Sequence, residues 1–281
     1  MAQIINTNLM SLNAQRNLAG TQGMLAQSVQ RLSTGLRVNS AKDDAAGMAI
    51  AERMNTQVRG MNVAIRNAND AISLAQTAEG ALSKINDMGQ RMRELAVQSS
   101  NATNSAGDRA ALDAEFHELA AEIKRTLEST NFNGTQLFSA TAALTFQVGA
   151  NATVTDRIGI QTANLTANTT FTGVIGANNA AGASIDTVAN ASSAMDKLDK
   201  MLTEVNSARA KFGATQNRFE AVINTLQINA ENQTAARSRI LDADFSKETA
   251  ALTRSQVLQQ AGTAMLSQAN SIPNNVLSLL R

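Results

Sequence analysis

Apolar residues recur in this chain at alternating three- and four-residue steps, over stretches far longer than an ordinary globular helix needs. Between positions 51 and 75 the series is Ala51, Met54, Val58, Met61, Ile65, Ala68, Ile72 and Ala75. That spacing draws one narrow stripe along a helix, the seam of helices that pack lengthwise. Glu79 interrupts the stripe, which resumes at Leu82 and moves to Ile85, Met88, Met92 and Leu95, a three-residue shift of the kind that overwinds a coiled coil. A helix from Lys42 to Ser100 would be about 90 Å long at about 1.5 Å per residue. A compact globule of comparable chain length is about 50 Å across, so the spacing predicts a rod.

The same period appears at both ends. Leu18, Leu25, Val29, Leu32 and Leu36 mark an N-terminal helix that stops near Gly35 to Asn39, and Ser40 to Asp43 has the form of a capping box for the next helix. After a polar turn from Asn101 to Asp108, Leu112, Phe116, Leu119, Ile123 and Leu127 predict a third helix that ends at Asn131 to Gly134. Thr145 to Val148 and Arg157 to Ile160 predict a hairpin, and residues 161 to 184 read as a surface excursion with little core of its own. Met195, Leu198, Leu202, Val205, Phe212, Phe219, Val222 and Leu226 restore the helical period. A last helix carries Leu258, Ala261, Met265 and Ala269, is expected to stop at Pro273, and leaves an apolar tail containing Leu279 and Leu280.

Composition agrees with thin seams rather than a thick core. There is no Cys, Trp or Tyr, one His, one Pro and 3% aromatic residues, whereas large aromatics dominate globular cores. A net charge of +1 with almost no aromatic surface argues against nucleic-acid binding. No apolar run of 18 residues offers a membrane span or a secretory leader, so no membrane insertion is expected, and export would need another route.

Enzymatic chemistry finds no foothold. His117-Glu118 opens like a zinc-protease helix, but position 121 is Ala, so the second imidazole is missing. Asp113 and His117, four apart, make an ordinary helix-surface pair. Asp43 and Asp44 fall where a helix start favours acids. No catalytic, cofactor-binding or metal-ligating residue is assigned, and no cofactor is expected.

The terminal stripes need partners. About a dozen bulky apolar residues precede Arg37, worth about 25 kcal/mol if fully buried at roughly 2 kcal/mol each. Ordering their backbone costs about 1 to 2 kcal/mol per residue, and isolated helices are marginal in water. The ends are therefore expected to fold fully only when their stripes meet other helices.

Several long segments carry a family likeness: Met1 to Asn8, Arg31 to Gly47 (RLSTGLRVNSAKDDAAG), Gln90 to Gln98, Asn217 to Phe219, Asp242 to Ala250, Val257 to Met265 and Asn275 to Arg281. Together they resemble bacterial flagellin, over nearly everything outside roughly 140 to 190. The resemblance implies a mainly α fold: an elongated coiled-coil and helical-bundle rod made by both ends of the chain, with a small β-hairpin region in the middle. Residues 1–40 and 236–281 would form the inner coiled-coil core of a filament, and 41–184 with 185–235 the surrounding rod. Its filament seams would then be Leu18, Leu25, Val29, Leu32, Leu36, Leu258, Ala261, Met265, Ala269, Leu279 and Leu280.

The resemblance also implies a secreted subunit of the extracellular flagellar filament that serves swimming motility and polymerises with itself. It implies export as an unfolded chain by the flagellar type III apparatus. An export chaperone, the filament cap and the hook-filament junction proteins would be its partners. Arg91, Leu95 and Glu115 match the contact patch of flagellins sensed by an animal Toll-like receptor. The rival readings are a hook-filament junction subunit, sharing the terminal logic, and an enzyme, lacking a constellation.

Overall fold

The computed structural model describes residues 7–141, 143–176 and 182–278, and for 272–278 the backbone. Six helices carry the fold: α1 (Leu9–Thr34), α2 (Ala45–Ser99), α3 (Ala106–Ser129), α4 (Thr169–Ile175), α5 (Val188–Leu241) and α6 (Phe245–Ser278). Two antiparallel pairs accompany them, β1 (Asn131–Phe132) with β2 (Thr135–Gln136), and β3 (Ala143–Gln147) with β4 (Arg157–Gln161). The chain divides into two compact units, residues 57–230 and residues 1–56 with 231–281.

The larger unit is built on the seam of α2. That seam runs through the buried Met61, Ala64, Ala68, Ala71, Ala75, Ala78, Leu82, Ile85, Gly89, Met92, Ala96 and Ser99, an unbroken alternation of three and four, with Leu74 and Leu95 buried beside it. The interruption expected at Glu79 is therefore absent, because Ala78 holds the place and Glu79 lies beside it, half-buried. Small residues serve here because a neighbouring helix comes close. A Cβ on Gly89 would stand 2.9 Å from Leu202 Cδ2 of α5. From α5 the facing stripe includes Ala191, Ala194, Leu198, Met201, Val205, Phe212 and Phe219, and α3 adds Phe116, Ile123 and Leu127.

Ser105 caps α3: its hydroxyl accepts the Asp108 amide at 3.2 Å, and the Asp108 carboxylate accepts the Ser105 amide at 2.9 Å. That pattern lay within the stretch read only as a polar turn. The first hairpin is a two-residue turn in which Asn133 (φ 50°) and Gly134 (φ 79°) both adopt left-handed backbone, the geometry that matches strand twist. The second is the hairpin expected from the sequence, its first strand starting two residues earlier than expected, and it pairs Thr145 with Gly159. It seats on α2 and α5: Asn67 Nδ2 donates to the Gln147 carbonyl at 3.0 Å, and Phe146 meets Phe219 edge to face at 5.8 Å.

Residues 161 to 184, expected as a surface excursion with little core of its own, place apolar groups in the core of the larger unit. Leu165, Phe171, Val174 and Ala183 are buried in the same core, and α4 exists to place Phe171 and Val174 on one side. Four bulky or small apolar residues among many Thr, Asn and Ala suffice, since the core they join is already formed by α2, α3 and α5. The segment returns through Ile185, whose amide donates to Asp113 Oδ1 at 2.7 Å and whose carbonyl accepts the buried Ser99 hydroxyl.

In the smaller unit, Gly35 ends α1 with φ 71° and donates to the Arg31 carbonyl at 2.9 Å. The α1–α2 link then pairs with the α5–α6 link: Leu36 bridges Asp242, Arg37 N donates to the Leu241 carbonyl at 2.6 Å, and Ala243 N to the Gly35 carbonyl at 2.9 Å. Val38, Ala51 and Leu241 form a small core beneath. The carboxylate of Asp43 accepts from Asn39 N, Ser40 N and Ser40 Oγ, so this box closes on its own turn. The cap of α2 is Asp44, which accepts the Gly47 amide at 2.8 Å. The last helix does not stop at Pro273 but runs on to Ser278; a proline removes one N–H from the ladder, a local loss within 34 residues.

Candidate functional site

The paired terminal helices combine two unlike faces. Facing α6, α1 presents Ser11, Ala14, Leu18, Thr21, Leu25, Ser28 and Leu32, again at strict three-four spacing. Facing α1, α6 presents Glu248, Leu252, Ser255, Gln259, Gly262, Leu266 and Ala269. Nine of these fourteen residues are small or polar and five are leucines, and polar bonds fix the ends of the seam. Asn8 caps α1 through the Ser11 amide and donates from Nδ2 to the Ala269 carbonyl at 2.7 Å; Ser11 Oγ donates to Asn270 Oδ1 at 2.8 Å. At the other end Arg31 Nη1 meets Glu248 Oε1 at 3.0 Å, with the two side chains 25% and 13% exposed.

Large apolar groups lie outside this seam. Leu9, Met10, Leu12, Met24 and Val29 of α1 are each at least 47% exposed, and Val257, Leu258 and Met265 of α6 at least 44%. Leu9, Met10, Leu18, Leu258, Ala261 and Met265 wall an open groove of 520 Å³ running along both helices. Water against so much hydrocarbon is unfavourable, by about 25 cal/mol for each Å² that could be buried.

The residues named from sequence fall on both faces. Leu18, Leu25, Leu32 and Leu36 are half-buried, and Ala269 is buried. Val29 is 50% exposed because Ser28 occupies the inward position between Leu25 and Leu32. Leu258, Ala261 and Met265 are likewise outward, one residue away from the Gln259, Gly262 and Leu266 that face α1. Leu279 and Leu280 lie outside the described residues. Spacing alone misses Ser11, Thr21, Ser28, Ser255 and Gln259, although their period with Leu18, Leu25 and Leu32 was available once polar residues are admitted to a seam.

Arg91 and Glu115 do come together, at 2.9 Å, with Glu94 on the other side of the guanidinium at 3.1 Å. Glu115 first and Glu94 second hold the Arg91 charge more firmly than in free arginine. Leu95, expected on the same exposed face, is instead 1% exposed and part of the core. One helical turn separates it from Arg91, but the stripe curves across that turn, and Met92, Leu95 and Ala96 point inward together.

The acids considered for chemistry serve local structure. The Ser40 hydroxyl, then the Ser40 amide, hold the Asp43 carboxyl below its ordinary value of 3.8, and Asp244 is lowered first by the Lys247 amide at the start of α6. His117 Nε2 sits 3.3 Å from Asp113 Oδ2, the helix-surface pair expected. Among the described residues no group of three His, Cys, Asp or Glu is placed to hold a metal ion, and no helix is long and apolar enough to cross a membrane.

Comparison with known proteins gives this arrangement a family. Residues 5–143 match the bacterial flagellin N-terminal helical region, and residues 195–280 the bacterial flagellin C-terminal helical region. A flagellin of Halalkalibacterium halodurans is 45% identical over 279 residues, which cover 99% of this chain and 100% of that protein. The flagellar filament 33 kDa core protein of Treponema phagedenis is 40% identical, with 99% and 100% covered. The crystal structure of Bacillus cereus flagellin superposes with a TM-score of 0.50 at 31% identity, over 61% of this chain and 94% of that one. With two regional matches and full-length relatives well above 30% identity, the chain belongs to the bacterial flagellin family, structural proteins of the flagellar filament rather than enzymes.

Proposed function

We propose that this chain polymerises with copies of itself into an extracellular flagellar filament for swimming motility, and that the α1–α6 pair is its inner contact surface. The observation that carries the reading is the division of labour on those two helices. Small and polar residues make up most of the contact within the chain, beside five leucines, while Leu9, Met10, Leu12, Met24, Val29, Val257, Leu258 and Met265 remain exposed. A stripe of that kind is stabilised by other copies, and repetition of one such contact generates a helical polymer. In this reading residues 1–40 and 236–281 supply the inner core and 41–235 the surrounding layer.

Export fits the same picture: a chain whose terminal helices bury little on their own is readily kept unfolded for the flagellar type III apparatus by an export chaperone. The filament cap and hook-filament junction proteins would meet the same surfaces at the two ends of the polymer. The likeness to receptor-sensed flagellins carries over as an expectation for Arg91 and Glu115 alone, since Leu95 is enclosed. Reversing the charge in Arg91→Glu should lower activation of a flagellin-sensing Toll-like receptor in reporter cells; an unchanged response from the folded variant would remove that expectation.

Polymerisation itself is tested by adding purified subunit to sheared filament fragments and following elongation by electron microscopy. The full chain should elongate the seeds and a chain lacking 236–281 should not. A full chain that stays monomeric on the seeds, or a truncated one that elongates them, would contradict the proposal.

A further inference from the structure

Among the described residues four methionines are exposed, Met10 (64%), Met265 (63%), Met24 (50%) and Met48 (39%), whereas Met61, Met92 and Met201 are 5% exposed or less. Met10 and Met265 lie on different helices, yet both wall the single groove shared with Leu18 and Leu258. We infer that Met10 and Met265 are an oxidation-sensitive pair whose conversion to sulfoxide bars a free subunit from entering the filament. This rests on the polymer reading above.

The chemistry needs only hydrogen peroxide. The thioether sulfur attacks one peroxide oxygen, the S–O bond forms as the O–O bond breaks, sulfur is oxidised to the sulfoxide, and the peroxide is reduced with release of water. Susceptibility follows exposure, and these two side chains are the most open of the seven. The product is a strong dipole where a flexible apolar side chain stood. Burial against a second copy would strip water from the S=O groups, and the groove offers little in exchange: Leu9, Leu18, Leu258, Ala261 and Gly262 have no side-chain donor, Thr21 Oγ1 and Asn17 Nδ2 already donate within α1, and that leaves the Asn13 amide for two sulfoxides.

The same geometry makes the sensitivity one-way. A free subunit shows both sulfurs to solvent; a subunit already assembled would have them covered by its neighbour. Oxidation before assembly would therefore exclude a subunit, and assembly before oxidation would protect it.

The test uses the native chain. Subunits are oxidised to about half conversion with hydrogen peroxide, seeded with filament fragments, and the pellet and supernatant compared by peptide mass spectrometry. Sulfoxide at Met10 and Met265 should be at least about tenfold depleted in newly formed filament, in proportion to the loss of one binding partner's apolar contact. Equal sulfoxide fractions in pellet and supernatant would overturn the inference while leaving the polymer reading intact. Failure of unoxidised subunits to elongate the seeds would remove the polymer reading and this inference with it. In a second arm, filaments and free subunits receive the same peroxide dose: slower oxidation of Met10 and Met265 in the filament is expected, and equal rates would count against it. A Met10→Leu, Met265→Leu chain, compared before and after peroxide with its own untreated rate, should lose less elongation than the native chain; an equal loss would assign the effect to other methionines.

Discussion

Ser105 and Asp108 between them satisfy amides that the first turn of α3 leaves free, so each contributes through backbone groups rather than through contact area. Ser105→Ala should lower stability by about 1 kcal/mol, read as a shift in the urea midpoint at unchanged slope. The pH dependence has a definite sign. The Ser105 hydroxyl first, and then its amide, lower the Asp108 carboxyl from its ordinary 3.8. Its contribution is complete above that ordinary value and is lost as pH falls through the lower value of the folded state. Denaturation midpoints of native and Asp108→Asn chains should therefore differ at neutral pH and converge in acid. Deeper in the same unit, Phe219 is fully buried against Phe146, and Phe219→Ala should cost about 3 to 5 kcal/mol. Calorimetry showing a loss below about 1 kcal/mol would mean the hairpin does not seat there.

At the scale of elements, the hairpin and the returning loop depend on a few backbone contacts with the helices. A Cβ on Gly60 of α2 would lie 2.9 Å from Ala150 Cβ and 3.2 Å from its Cα, so the β3–β4 turn rests directly on the helix there. Gly60→Leu should push the hairpin off, raising amide exchange across Ala143–Gln147 while α2 stays protected. The long helices and the place of the β3–β4 hairpin were legible in the sequence, because three-four and two-residue periods report directly on which side chains share a face, whereas α4 and the β1–β2 hairpin were not. The seams themselves were less legible. The expected stripe contained Ala68 and Ala75 but ran through the half-buried Ile65 and Ile72 and passed over the buried Ala64, Ala71 and Ala78. The expected terminal stripes likewise held Val29 rather than Ser28 and Met265 rather than Leu266, since no local pattern distinguishes a stripe kept for the chain itself from one left outward. The burial of Phe171 was illegible for another reason: seven helical residues amid Thr and Asn acquire an apolar environment only from distant elements.

For the whole molecule, a unit with a large apolar core contrasts with a unit in which α1 and α6 meet through a mixed seam. The second should open more readily in the free subunit, because few large side chains are withdrawn from water there. Limited proteolysis of the monomer is expected to cut within α1 and α6 and to spare α2 and α5 between 57 and 230, with the terminal sites protected after polymerisation. Replacing Leu258 by Asp places a charge on the outward stripe, beside the seam in the groove shared with Leu18, and should abolish seeded elongation while the monomer stays helical by circular dichroism. The most direct measurement is an electron cryomicroscopy reconstruction of the assembled filament at side-chain resolution. The account predicts that α1 and α6 lie innermost and that Met10, Val29, Leu258 and Met265 are enclosed by neighbouring copies; finding those side chains in solvent, with copies joined through other surfaces, would contradict it.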